Sequence, residues 1–287
     1  MKYTYIKSYK DNDELRKSLN ELTEKTFSFN FENWYSNGFW EDKFIPHSLV
    51  DGDKVIANVS VNIMDFDLDG IEKHYIQIGT VMTDKYYRGQ GLSRYLMQRV
   101  IGEYKETSDG IYLFANDSVI NFYPKFGFKS SKQYQYSKDI YSINNVKKIQ
   151  QVNMSDEVKW KDFFKTVMNS VSNDRFTMNN PGLIAFWTRW SDCVYYLAEQ
   201  EVYIIADVKD DNLYIKQIIS SHKVDLEEVI SSFGDSIKKV RLGFTPYDVT
   251  GYIINEYHED DCTVFILGKD LECIETKKLI FPTLSHA

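Results

Sequence analysis

The segment YRGQGLSRYL, residues 87–96, contains an arginine and two glycines in the run RGQG and follows the apolar run IQIGTVMT after three residues. A helix is predicted to follow the glycines, because Leu92, Leu96, Val100 and Ile101 recur on one helical face. The first N–H groups of a helix lack partners and carry partial positive charge, and glycines before them let an anion approach without obstruction by a Cβ. The spacing therefore predicts a phosphate-binding turn.

Neither standard phosphate motif is present at this turn. The dinucleotide pattern GxGxxG would need glycine at position 94, where Arg94 stands, and no GK[ST] follows for a P-loop. Five basic and two acidic residues lie between Asp84 and Lys105, in a chain whose net charge is −8. This local basic patch favours a polyanionic ligand. The alternative reading is an ordinary turn before an amphipathic helix with surface charges.

A second motif, NDSVINFYPKFGF, runs from Asn116 through Tyr123 to Phe128. Together with Val81 and the run Arg88-Gly89-Gln90-Gly91-Leu92-Ser93, it resembles the GCN5-related N-acetyltransferases (GNAT). Ser93 stands where that family has glycine or alanine, but it is also small. The resemblance implies an α/β (α+β) fold with a mixed, mostly antiparallel central sheet.

The resemblance also implies acetyl-CoA as the cofactor and an amine of a small molecule or peptide as the acceptor. Backbone amides of residues 88–93 would hold the pyrophosphate, and the strand 78–83 would pair with the pantetheine arm. Tyr123 matches the family's general acid, which protonates the departing thiolate, although the residue could also be a core aromatic. The implied cofactor-binding residues are Val81, Met82, Thr83, Arg88, Gly89, Gln90, Gly91, Leu92, Ser93, Asn116 and Tyr123.

The general base is not identified by the resemblance. Many members carry a glutamate on the strand before the phosphate turn, whereas HYIQIGTVMT has no carboxylate. The candidates are His47, Glu32, Glu41 and the chain's own C-terminal carboxylate on Ala287, which ends the segment LIFPTLSHA. That segment is apolar, so we expect it to be covered, either against the second unit's sheet or at a junction where Ala287 or His286 reaches the acceptor amine.

The first predicted unit, residues 1–140, alternates strands and helices. Leucines recur at helical spacing in DNDELRKSLNELTEKTF, and an Asp-Gly turn between FIPHSLV and VIANVSVNIMDFDLDG predicts a hairpin. Strands are expected in YTYIKSY, HYIQIGTVMT and GIYLFAND, and a short helix in SVINFYPKFG. The alternating segment FKSSKQYQYSKDIY is expected to complete this unit.

The second predicted unit, residues 150–287, follows the polar connector SINNVKKIQQVNMS. Helices are expected in DEVKWKDFFKTVMNSV, PGLIAFWTRW and DLEEVISSF, and strands in CVYYLAE, VYIIADV, NLYIKQIIS, KKVRLGF and CTVFILG. This order echoes the first unit without a matching sequence repeat. In place of the phosphate turn it has IISSHKVDLEEVI, which has no glycine and begins its helix with acidic residues, so we expect no CoA binding here.

The layout resembles the "enhanced intracellular survival" subgroup of that family, without the subgroup's third domain. The resemblance implies a degenerate GNAT-like second domain, which shapes the acceptor site or an oligomer contact. Two functions stay open: an acetyl-CoA-dependent N-acetyltransferase, favoured by Asn116 and Tyr123 together, and a non-catalytic acyl-CoA-binding regulatory module. The subgroup's polyamine-type substrates cannot be carried over, because the third domain is missing.

Composition limits the remaining possibilities. The sequence contains no apolar run of the length of a membrane span or a signal peptide, so a cytoplasmic protein without a membrane partner is expected. The net charge of −8 argues against a nucleic-acid surface and favours a cationic small molecule. Cys193, Cys262 and Cys273 form no CxxC pair, so they are interpreted as packing residues and no metal site is predicted.

Overall fold

The structure is a computed structural model that describes residues 2–141 and 149–286. The first half of the polar connector, residues 142–148, therefore lies outside the described residues. The helices are α1 Asp13–Phe27, α2 Glu32–Ser36, α3 Leu92–Tyr104, α4 Glu157–Met168, α5 Pro181–Thr188, α6 Leu226–Ser231 and α7 Cys273–Thr276. Within the described ranges, none of them has the length and apolar character needed to cross a membrane.

The strands form two sheets. They are β1 Thr4–Lys7, β2 Phe44–Asp51, β3 Lys54–Leu68, β4 Ile71–Thr83, β5 Gly110–Ala115, β6 Lys129–Ser130, β7 Gln133–Asp139, β8 Gln150–Gln151, β9 Phe176–Asn179, β10 Val194–Leu197, β11 Val202–Lys209, β12 Asn212–Ile219, β13 Lys239–Leu242, β14 Ile253–Tyr257 and β15 Thr263–Leu267. The first sheet has the order β1-β2-β3-β4-β5-β15-β6, with β9 also on β3. The second has the order β14-β7-β13-β12-β11-β10-β8.

The local elements of the first unit follow from its sequence pattern. Helix α1 begins after Asn12, whose side chain accepts from the backbone N–H of Leu15, and it buries Leu15, Leu19 and Leu22 as the spacing predicts. The hairpin β2–β3 forms around the predicted Asp-Gly turn, and β3 and β4 pair antiparallel along most of their length. Strand β5 runs parallel to β4, so α3 is the crossover between them. The mixed, mostly antiparallel sheet is confirmed.

The second sheet repeats this arrangement. Strands β10, β11 and β12 form an antiparallel meander, and α6 then connects β12 to the parallel strand β13. The predicted echo of element order is therefore present in the structure. Strands β8, β9 and β14, of two, four and five residues, were missed by the sequence analysis.

Each sheet includes strands from the other unit: the second sheet takes β7, and the first takes β15 as well as β9, which pairs with β3. Strand β7, predicted to complete the first unit, pairs with β13 and β14 in the second sheet. Strand β15, predicted within the second unit, pairs with β5 and β6 in the first. The sequence analysis did not anticipate either pairing, because alternating apolar residues specify a strand but not its partner. The division of the strands between the two sheets therefore does not follow the predicted unit boundary at residues 140–150.

The two units also share a hydrophobic core. One buried cluster contains Met64, Phe66 and Tyr112 of the first sheet together with Phe163 of α4 and Phe281 of the C-terminal segment. Phe281 stacks on Tyr112 with ring centroids 4.2 Å apart. The predicted covering of this segment is confirmed, and it lies where the two units meet.

This shared core predicts a single cooperative unfolding transition. Replacing Phe281 with alanine removes a buried ring that packs against both units, so Phe281→Ala should lower the unfolding free energy by about 3–5 kcal/mol. Urea unfolding followed by far-UV circular dichroism and by tryptophan fluorescence should shift as one transition. The exposed Val208→Ala is the control. Two separate transitions, of which Phe281→Ala moved only one, would contradict the shared core.

Candidate active site

The parallel strands β4 and β5 separate at their carboxyl ends. Their pairing stops at Ile78 and Leu113, although β4 continues to Thr83 and β5 to Ala115. A register shift opposite Asn58–Ser60 marks a bulge in β4, where Thr80 adopts the left-handed φ of 46°. The buried Asn58 holds this bulge, since its Nδ2 donates to the Thr80 carbonyl at 3.0 Å. The bulge turns residues 79–83 toward the gap between the strands.

A cavity of about 1080 Å³ fills this gap and extends over the first sheet. It is larger than most small-molecule sites, which are about 300–1,000 Å³. Of the residues predicted to bind the cofactor, those lining the cavity are Val81, Met82, Thr83, Arg88, Gly89, Gly91, Leu92, Ser93, Asn116 and Tyr123. Gln90 is not among the lining residues; its side-chain oxygen accepts from the Tyr3 hydroxyl at 3.1 Å.

The predicted anion turn forms one wall. Gly89 and Gly91 have φ values of 77° and 75°, a left-handed conformation that other residues rarely adopt, and a Cβ on either would meet no atom within 4 Å. Gly91 is the N-cap of α3 and supplies no side-chain acceptor, so the first N–H groups of the helix are left for a ligand. The Arg88 guanidinium donates to the Thr83 carbonyl at 3.2 Å, and the Thr83 and Ser93 hydroxyls are 2.7 Å apart.

The corresponding helix of the second sheet is closed to anions. Asp225 caps α6, and its carboxylate accepts from the backbone N–H groups of Glu227 and Glu228. An anion would have to displace this carboxylate and meet two further acidic residues in the first turn. The contrast with Gly91 supports the expectation that only the first unit binds a phosphate group.

Tyr123 lies at the start of a short 3₁₀ helix and is 5% exposed. Its ring packs against Phe122 and Phe265, and its hydroxyl has no hydrogen-bond partner among residues 2–141 and 149–286. Burial raises the pKa of Tyr123 to about 12, so the hydroxyl stays protonated at neutral pH. A protonated hydroxyl without a partner in the cavity can donate to a leaving group.

Asn116 is engaged before any ligand binds. Its Nδ2 donates to an Asp261 carboxylate oxygen at 2.8 Å, and the backbone N–H of Asp117 donates to the other oxygen at 2.7 Å. Asp261 precedes β15, so this contact ties the end of β5 to the strand received from the second unit.

The candidate bases from the first unit lie away from the cavity. His47 is fully buried on the other side of the sheet, where Nδ1 and the Tyr5 hydroxyl are 2.8 Å apart, and burial lowers its pKa to about 4. Glu32 accepts from Arg16 and Asn20, and Glu41 lines only a separate small cleft beside Trp34.

The C-terminal segment reaches the cavity. Ala287 lies outside the described residues, but His286 lines the cavity and stacks on Phe114 with centroids 3.6 Å apart. Trp187 of α5 donates to the His286 carbonyl at 3.0 Å. Burial lowers the pKa of His286 to about 4, so its imidazole is neutral at physiological pH.

Cys262 has a polar environment that its interpretation as a packing residue did not anticipate. Its Sγ lies within 4.8 Å of a carboxylate oxygen of Glu259 and of a ring nitrogen of His286. These three side chains are the one group of possible metal ligands found within the described ranges. Burial and the Glu259 carboxylate raise the pKa of the Cys262 thiol to about 12, so the thiol is protonated and inert as a nucleophile.

Sequence reasoning missed the rest of the cavity wall. Asn62 of β3 and Gln77 of β4 face each other across the sheet and line the cavity, as do aromatic residues from α2, α5 and the segment after α1. The available signal was a polar residue on each of two strands at positions whose neighbours are apolar. Without knowledge of what packs above the sheet, that pattern is indistinguishable from a solvent-facing residue.

Comparison with known proteins finds a family match within the first unit. Residues 12–128 match the acetyltransferase (GNAT) family. No curated protein matches the sequence.

Several solved structures have a similar fold. A probable N-acyltransferase from Enterococcus faecalis has a TM-score of 0.57 at 16% identity, covering 93% of this chain and 71% of that chain. A GCN5-related N-acetyltransferase from Kribbella flavida has a TM-score of 0.56 at 14% identity, with coverages of 94% and 72%. Eis1 from Mycobacterium abscessus has a TM-score of 0.55 at 9% identity, with coverages of 91% and 72%. At such identities the likeness concerns the fold, and it extends over both units.

Proposed function

We propose that the protein transfers an acetyl group from acetyl-CoA to an amine, since residues 12–128 match the acetyltransferase (GNAT) family. The observation that carries the proposal is the presence, in one cavity, of an uncapped helix N-terminus at Gly91 and the protonated Tyr123 hydroxyl. A non-catalytic acyl-CoA-binding module would need only the helix N-terminus and not the hydroxyl. The unpartnered hydroxyl inside the cavity favours the enzyme over the regulatory module.

The residues around the turn fit the pyrophosphate of CoA. The N-terminus of α3 offers free backbone N–H groups, the glycines leave open space in front of them, and Arg88 and Arg94 line the same end of the cavity. The separated strands offer unpaired backbone groups of residues 79–83 to an extended pantetheine arm. When bound, acetyl-CoA supplies an activated thioester.

In the proposed reaction the amine nitrogen bonds to the acetyl carbon as the carbon–sulfur bond breaks. Tyr123 donates its proton to the sulfur, which leaves as a thiol, and the proton lost by the nitrogen restores the tyrosine through solvent. Among the lining residues that the structure describes none is Asp or Glu, and the lowered pKa of His286 makes it a weak base. The amine is therefore proposed to attack after losing its ammonium proton to water.

The first test concerns the turn. Gly91→Glu places a carboxylate where the pyrophosphate is proposed to bind and strains a left-handed position, so acetyl-CoA binding measured by calorimetry should be lost. Gly234→Glu is a matched control, since Gly234 also has a left-handed φ with open space but lies outside the cavity. Retained binding in Gly91→Glu, with a native circular dichroism spectrum, would reject the pyrophosphate site.

The second test concerns Tyr123. Tyr123→Phe removes the proton donor and keeps the ring packing, so kcat should fall about 10²-fold or more while acetyl-CoA affinity changes little. Single-turnover kinetics with thiol detection measure the effect. Tyr195→Phe, which removes a hydroxyl in the second sheet, should leave kcat unchanged. An unchanged kcat in Tyr123→Phe would make this residue a core aromatic.

The third test is the pH dependence of kcat/KM. If the amine deprotonates in water, the acid limb follows the acceptor's own pKa, which is about 8 for an α-amine and about 10 for an alkylamine. The limb should therefore move by about two pH units between such acceptors. On the alkaline side the raised pKa of Tyr123 keeps the acid protonated, so no fall is expected below about pH 11. An acid limb at one fixed pH for both acceptors would instead reveal a base on the enzyme.

A further inference from the structure

One region of the cavity is walled by aromatic rings. The aromatic wall consists of Phe29, Phe31, Trp34, Phe44, Phe186 and Trp187. Its rings contact one another, with centroid distances of 4.8 Å for Phe31 and Phe44, 5.8 Å for Trp34 and Phe186, and 5.3 Å for Phe186 and Trp187. The rings come from the segment after α1, from α2, from β2 and from α5, so both units build the wall.

The cavity has no counter-charge for a polycation. Within the part of the chain that the structure describes, the charged side chains lining it are Arg88 and Arg94, both at the anion turn. His286 is neutral. Burying several ammonium groups without carboxylates is costly, and aromatic faces compensate at most a single cation at close range. The negative net charge of the chain pointed to a cationic partner, but that charge lies elsewhere on the surface.

Two buried amide side chains stand on the sheet beneath this space. Asn62 is 4% exposed and Gln77 is 1% exposed, and they are direct cross-strand partners. Nδ2 of Asn62 and Oε1 of Gln77 have no hydrogen-bond partner in the described residues. Buried polar groups are nearly always paired in native proteins, so an unpaired donor and an unpaired acceptor on two paired residues that both line the cavity indicate a ligand.

We propose that Asn62 and Gln77 recognise the acceptor, and that the acceptor is a primary monoamine with an aromatic or apolar body and a neutral carbonyl or hydroxyl oxygen near the nitrogen. This inference rests on the proposed acetyl transfer. Gln77 Oε1 accepts an N–H of the amine and orients its lone pair, while Asn62 Nδ2 donates to the oxygen. The aromatic wall takes the apolar body.

The inference is tested with three acceptors: phenylalaninamide, phenethylamine, which lacks the carboxamide, and spermidine. The two aromatic amines differ in pKa, so their kcat/KM values are compared as pH-independent values, each corrected for the fraction of neutral amine. On that basis the wild-type protein should prefer phenylalaninamide over phenethylamine by about tenfold or more, because phenethylamine leaves the buried Asn62 donor unpaired. Spermidine should be the poorest of the three. Preferential acetylation of spermidine would overturn the inference and leave acetyl transfer itself intact.

Substitutions of equal size locate the preference. Asn62→Leu should reduce the ratio between the two aromatic amines to about one, and Gln77→Met should lower kcat/KM for both. Gln217→Met is the matched control: Gln217 is 2% exposed, its Oε1 also lacks a partner, and it lies on β12 outside the cavity. A ratio in Asn62→Leu equal to that of the wild type would refute the assignment.

Two further measurements separate a change in acceptor recognition from a loss of folding or of acetyl-CoA binding. Binding of phenylalaninamide without acetyl-CoA should change the fluorescence of Trp34 and Trp187, with a Kd about tenfold weaker in Asn62→Leu. Gln77→Glu introduces a carboxylate and should shift the preference toward spermidine, which gives a gain that misfolding cannot mimic.

If no acceptor releases thiol and acetyl-CoA does not bind, the proposed function is wrong. Fluorescence binding that does not distinguish phenylalaninamide from phenethylamine would reject this inference alone.

Discussion

The antiparallel pairing of β15 with β5 is the contact on which the rest of the structure depends. Five residue pairs, from Thr263 with Ala115 to Leu267 with Ile111, cover the edge of β5 that β4 does not. The two faces of β15 pack in different hydrophobic cores. Phe265 lies in the cluster beneath α3, whereas Val264 and Ile266 belong to the core shared by both units. Phe265 also contacts the ring of Tyr123. One strand from the second unit thus supports the proposed acid of the first.

The separation of β4 from β5 depends on the same pairing. Because β15 satisfies the far edge of β5, the near edge can leave β4 after Leu113 without losing the strand from the sheet. The bulge at Thr80 is then held by Asn58, and the gap becomes the cavity. Its two ends differ in chemistry, since the arginines and free N–H groups lie at the α3 turn and uncharged rings line the aromatic wall. Such a division suits two ligands of different polarity that meet in the middle.

Local structure was predictable from the sequence wherever neighbouring residues determine it. The spacing of Leu15, Leu19 and Leu22 specifies a helix in any context, and the glycines before Leu92 specify a left-handed turn. The partners of β7 and β15 were not predictable, because pairing over more than a hundred residues leaves no trace in the alternation of either segment.

The candidate site was predictable in part for the same reason. The turn and Tyr123 belong to short contiguous motifs, so their place in the cavity could be expected from the sequence. Asn62 and Gln77 belong to no motif, and their burial depends on α2 and α5 packing above the sheet. The proximity of His286 likewise depends on the path of the C-terminal segment between the units.

The exchange of strands has a consequence for how this chain is made. A ribosome releases the N-terminal residues first, and domains generally fold in that order. Here the first sheet is incomplete until Leu267 has emerged, because β15 supplies the strand beside β5. Until then the edge of β5 lacks its native neighbour and is available for pairing with other nascent chains. The first unit of such a chain therefore cannot reach its native sheet before Leu267 has been translated, and chaperones that shield strand edges would act on it during that interval.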